Sequence, residues 1–99
     1  MRRFRGQLRR YRWVNGWPLD SVGVSAHQLV LRPLLRETVT LSREDVRAVT
    51  FEPVRIPPFV WFTVVRFVMT DGSVHDRGFT PIRTSAFRAE LEAQGWPTR

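Results

Sequence analysis

Two β-favouring runs, Ser21 to Val24 and Gln28 to Arg32, flank Ser25-Ala26-His27, and Leu29 and Leu31 share one face because side chains alternate along a strand. This pattern predicts a hairpin. Beyond Pro33, Leu35, Val39 and Leu41 keep the alternation with Glu37 as the exception, which predicts a third strand ending at Ser42. Ser42-Arg43-Glu44-Asp45 then has capping-box spacing with Asp in place of Glu, so a single helical turn at most is expected before a strand resumes over Val46 to Glu52.

Pro53-Val54-Arg55-Ile56-Pro57-Pro58 is expected as a loop, because proline lacks the N–H that a central ladder requires. In the next run, Phe59, Trp61, Val65, Phe67 and Met69 fall on one face and Val60, Phe62, Val64 and Val68 on the other. Both faces are apolar, so this strand is covered on both sides or presents one side to a partner. Asp71-Gly72 supplies a two-residue type I′ turn, after which Ser73 to Phe79 returns as a strand. Thr84 or Ser85 is expected to cap a helix running to about Gln94, with Phe87 and Leu91 on its buried face. Gly95 suits the left-handed position after that helix, Pro97 stops it, and Trp96 is placed to fold back over the core.

With a further strand within residues 10–17, the order is about seven antiparallel strands followed by one C-terminal α-helix. The chain from Val22 to Trp96 resembles the small bacterial pleckstrin-homology-like domains. The resemblance lies in Val24-Ser25-Ala26-His27-Gln28-Leu29-Val30-Leu31-Arg32, in Leu41-Ser42-Arg43-Glu44-Asp45-Val46-Arg47-Ala48-Val49, in Asp71-Gly72, and in Phe87-Arg88-Ala89-Glu90-Leu91 closing on Gly95-Trp96. It implies a mainly β fold, an antiparallel sandwich or partly open barrel of about seven strands capped by the helix. Functionally it implies a binding module, since that fold hosts phosphoinositide binders, peptide binders and oligomeric scaffolds. The basic pattern that lipid-binding members carry across the first hairpin is missing, because Leu19 to Leu31 contains no arginine.

Charge changes the picture at one end. All sixteen basic residues of the 99 are arginine, and residues 1–12 hold six of them, Arg2, Arg3, Arg5, Arg9, Arg10 and Arg12, with no acid. The remaining residues are nearly balanced, with ten arginines against nine acids. Residues 1–12 are therefore expected as a basic arm preceding a single domain of residues 13–99. Arginines interleaved with Phe4, Leu8, Tyr11 and Trp13 describe an interfacial segment for anionic lipid, each basic residue contributing on the order of 1 kcal/mol. Duplex or single-stranded nucleic acid would use the same arginines for phosphates, with Tyr11 and Trp13 for stacking. Read structurally, the same residues are a frayed terminus or an edge strand whose aromatics finish the core.

No apolar stretch follows the basic start, so an export signal is not expected. The most apolar run, Phe59 to Met69, is well short of the roughly 20 residues needed to span a bilayer. With no cysteine, a disulfide or thiolate site is excluded, which fits a cytoplasmic protein, at most peripheral on the inner face of the membrane. His75 and Asp76, as neighbours on a strand, are expected to point to opposite faces and not to form an acid–base pair. With no nucleophile motif and no phosphate-cradling glycine loop, an enzyme, a cofactor, a metal and a small-molecule substrate are not expected. A surplus of large apolar groups, Ile56, Phe59, Trp61, Phe62 and Trp17 foremost, marks an interface for a protein partner or for self-association.

Overall fold

In the computed structural model, residues 1–10, 19–34, 36–56 and 60–99 are described, Arg9, Arg10, Ile56, Val60 and Trp61 by backbone only. The first nine-residue strand, β1 (Arg2–Arg10), lies in the middle of a single sheet. On one side it pairs antiparallel with β2 (Asp20–Val24), which continues to β3 (Gln28–Arg32) and β4 (Val39–Ser42). On the other it pairs with β7 (Arg77–Pro81), followed outward by β6 (Val60–Met69) and β5 (Val46–Ile56). The spatial order β4-β3-β2-β1-β7-β6-β5 puts β4 and β5 at opposite edges, yet only the 3₁₀ turn Arg43–Asp45 separates them in sequence. The sheet therefore curls into a half-barrel, with the helix α1 (Thr84–Ala93) packed inside the curl. Among the described residues no helix is long and apolar enough to cross a membrane.

Residues 2–10 are thus part of the sheet and not an arm outside the domain, while Tyr11 and Arg12 lie outside the described residues. Phe4 and Leu8 alternate inward into the core while Arg3 and Arg5 alternate outward, and Gly6 lies opposite Asp20 on β2 and Pro81 on β7. A Cβ on Gly6 would collide with the Thr80 carbonyl oxygen and come within 2.9 Å of the Phe79 ring, so only glycine permits this approach of β7. The strand expected within residues 10–17 lies outside the described residues apart from Arg10.

The core gathers one face of every strand around the helix. Phe87, fully buried, meets Phe4 and Phe79 edge-on at 5.2 and 5.1 Å between ring centroids, with Phe51 at 6.2 Å. Such aromatic pairs contribute about 0.5–1.5 kcal/mol beyond their burial. The helix ends in a Schellman closure in which Trp96 N–H donates to the Leu91 carbonyl and Gly95 N–H to that of Glu92, Gly95 taking φ +83°. Trp96 folds back as expected, buried, with its indole N–H donating to the Ser25 carbonyl at 2.7 Å.

Several local expectations are corrected, among them the strand expected over Ser73 to Phe79, which begins only at Arg77. Pro53 to Ile56 are strand and not loop, because β5 is an edge strand. Val49 and Phe51 turn their N–H groups away from β6 toward the C-terminal Pro97 and Arg99 carbonyls, and Pro53 shares their parity, so its missing N–H costs no ladder bond. The hairpin after β6 uses three residues, Thr70-Asp71-Gly72, where a two-residue turn was expected. Gly72 N–H donates to the Met69 carbonyl and Gly72 takes φ +88°, the left-handed residue that follows a type I turn. Asp71 then accepts hydrogen bonds from the Ser73 hydroxyl and N–H, which hold its carboxyl below the ordinary value of 3.8. The helix has Arg83 at its N-cap position with no side-chain cap, and Thr84 and Ser85 lie inside its first turn. The third strand is shorter than expected and begins at Val39, with Leu35 outside the described residues.

One buried carboxylate ties these pieces together. Asp20, only 1% exposed, accepts from the N–H of Leu8 at 2.9 Å and from that of Leu34 at 2.7 Å. It fastens the end of β1 and the segment after β3 to β2. Asp20→Ala should leave both donors unmatched and lower stability by about 2–3 kcal/mol in urea unfolding. Gly6→Ala should lose about 3 kcal/mol or more as β7 is forced off β1, and a loss under about 1 kcal/mol would contradict so close an approach of the two strands.

A candidate anion-binding recess

Where β7 ends at Pro81, the N-terminal half of β1 continues without a neighbour on that side. The chain turns at Ile82 and Arg83 into α1, with Ile82 N–H still donating to the Arg5 carbonyl at 3.0 Å. Arg5 thus turns its backbone groups toward β7, and Arg3, two residues earlier, turns its own to the side that β7 has left. The result is a recess of about 240 Å³ lined by Arg2, Arg3, Phe4, Arg5, Ile82 and Arg83. Four of the six are arginines and none is acidic.

The four do not have equivalent surroundings. Arg2 lies over the Phe4 ring, 5.0 Å from guanidinium carbon to centroid, and reaches Glu90 of α1 at 3.4 Å. Arg3, Arg5 and Arg83 make no ion pair among the described residues. Arg83 occupies the N-cap of α1, whose first turn holds no acid, so the positive end of the helix dipole adds to the guanidinium charge there.

Around the recess the outer face of the sheet continues the theme. Ser21 pairs with both Arg5 on β1 and Arg32 on β3, so the two arginines stand two strand spacings apart, about 10 Å, with a hydroxyl between them. Arg32 has its Nε buried without a hydrogen-bond partner. Farther along β1, Gln7 and Thr80 face each other, both buried, with Gln7 Nε2 and Thr80 Oγ1 unpartnered. Large apolar groups flank the arginines, with Ile82 53% exposed and Met1 59% exposed. Met1 lies across Gly23, opposite Arg3 in the register.

Of the arginines marked by sequence, Arg2, Arg3 and Arg5 come together in the recess. Arg9 and Arg10 continue β1 opposite Gly78 and Arg77, at the other end of the strand, and Arg12 lies outside the described residues. Arg83 was missed, because its sequence neighbours suggested only a helix start and β1 is distant in the chain. Of the interface candidates, Phe62 is half-buried opposite Val54, while Ile56 and Trp61 belong to the paired ends of β5 and β6. Phe59 and Trp17 lie outside the described residues.

His75 and Asp76 do meet, with His75 Nδ1 3.3 Å from Asp76 Oδ1, contrary to expectation. The segment before Arg77 is not regular strand, so alternation does not separate them. His75 Nδ1 accepts from the Arg77 N–H at 3.1 Å, which makes it an acceptor and not a proton donor to Asp76. Compared with protein-family models, characterised proteins and solved structures, the chain has no match.

The Arg2–Glu90 contact is long and its guanidinium is exposed, although Glu90 is only 17% exposed, a geometry in which ion pairs contribute about 1 kcal/mol or less. Glu90→Gln should therefore change unfolding free energy by less than about 1 kcal/mol. A larger loss in urea unfolding would show that the Glu90 carboxylate, through Arg2 and Gln94, helps to hold the helix in place.

Proposed function

We propose that this chain is a non-enzymatic binding module that associates with an anionic membrane surface through the arginines at the N-terminal end of β1 and Arg83. The observation that carries the reading is the recess lined by four arginines and no acid, beside the exposed Ile82 and Met1. Arginines draw the protein to anionic headgroups over roughly a Debye length, about 8 Å at physiological salt, and apolar side chains beside them enter the boundary layer. Nucleic acid would use the guanidiniums equally well, but it gains nothing from an exposed isoleucine and methionine next to them. The order of seven antiparallel strands and then a helix supports a pleckstrin-homology-like reading of the module. In that reading the inner face of the cytoplasmic membrane is the natural anionic surface.

Flotation with vesicles of phosphatidylglycerol in phosphatidylcholine, against phosphatidylcholine alone, tests the proposal. Binding should require the anionic lipid and persist in the presence of duplex DNA. Arg3→Gln with Arg5→Gln should weaken it by about 2 kcal/mol, near 30-fold, at about 1 kcal/mol for each residue. Equal binding to both vesicles, or full displacement by DNA, would remove the membrane reading.

A further inference from the structure

We infer that the recess between β1 and the start of α1 holds a single phosphomonoester group; this rests on the anionic-surface reading and names the group that such a surface would present. The size is suited to it. A recess of about 240 Å³ has room for a tetrahedral oxyanion and the first carbons of its carrier.

The chemistry narrows the class further. Guanidinium groups present a planar fork that matches two oxygens of a phosphate at once, and here Arg3, Arg5 and Arg83 have no carboxylate partner among the described residues. A phosphomonoester is close to dianionic at neutral pH and offers three terminal oxygens, one for each of these arginines. A diester or a carboxylate offers two oxygens and one charge, leaving part of the cluster unmatched. Backbone donors add to this, because Arg3 turns its N–H toward the side that β7 has left and Arg83 begins a helix with no side-chain cap. Phe4 and Ile82 supply the apolar wall against which the carrier's carbons would rest.

The carrier is either a lipid of the phosphatidic acid type or a soluble phosphorylated metabolite, and the test separates them. The full chain is titrated with glycerol 3-phosphate, dimethyl phosphate and acetate at constant ionic strength, followed by amide shifts in two-dimensional NMR. Glycerol 3-phosphate should saturate with shifts concentrated at residues 2–5 and 82–86, at least about tenfold tighter than the other two. Arg83→Gln should weaken it about tenfold or more, and Arg3→Gln, across the recess, should do the same if the first variant fails to fold. Arg47→Gln, an exposed arginine on β5 outside the recess, should leave it unchanged. Shifts that never saturate, or an Arg83→Gln chain that binds as tightly as the original, would falsify the site.

Flotation at matched surface charge completes the test. A preference for phosphatidic acid over phosphatidylglycerol assigns the lipid carrier, and no preference alongside saturating glycerol 3-phosphate assigns the soluble one. Glycerol 3-phosphate binding without any vesicle binding retains this site and removes the membrane reading. Phosphatidylglycerol binding without glycerol 3-phosphate binding does the reverse.

Discussion

The two-residue period of β1 is the constraint on which the rest of the molecule depends. Because this strand is paired on both sides, its even-numbered positions Phe4, Gly6 and Leu8 must face the helix, and Arg3 and Arg5 must face outward. A slip of one residue would bury arginines and expose the core in a single step. The core and the candidate site are therefore two sides of the same few residues, and the strength with which one is specified fixes the register of the other.

Asp20 and Phe87 explain why that register is held from both ends. The Asp20 carboxylate holds the far end of β1 by accepting from the Leu8 N–H, where β2 begins. Phe87 grips the near end through its edge-on contact with Phe4. The same contact fixes the start of α1 against β1, since Phe87 lies one turn after Arg83 and its N–H donates to the Arg83 carbonyl. Arg83 is thus brought to Arg3 by the packing of aromatic rings in the core, and not by any attraction between the two cations.

The place of elements whose reasons are local was legible in the sequence, though the length of the Asp71-Gly72 turn and the capping of the helix were not, and elements whose reasons are tertiary were hidden. The β2–β3 hairpin and the closure at Gly95-Trp96 follow from neighbouring residues, and the structure places them where the pattern did; the turn at Arg43–Asp45 also stands where the pattern put it, but Ser42 makes no side-chain cap hydrogen bond to it. Strand β1 was hidden because its inward face has only Phe4 and Leu8 about a glycine, while its outward arginines gave the segment the composition of a solvated arm. Pro53 misled for a similar reason: whether a proline breaks a strand depends on which way its nitrogen points, and that depends on β5 being an edge. At the candidate site, charge density pointed correctly to Arg2, Arg3 and Arg5. It could not point to Arg83, which joins them only through the contact of Phe87 with Phe4.

Placing four guanidiniums around one recess opposes folding. Two unit charges 6 Å apart repel by about 0.7 kcal/mol in a water-like medium, and more where the surroundings are less polar. Burial of a side chain such as Phe4 or Phe87 contributes about 1.5–3 kcal/mol, so the two rings beneath the recess can carry that repulsion without an anion. An anion that settles there removes the repulsion in the folded state alone, and its binding free energy adds to stability by linkage. A cluster of this kind persists where the strand is paired with β2 on one side and packed against a helix, so that the backbone cannot relax the charges apart. On a free arm the same arginines would separate, and the recess would not exist for a ligand to find.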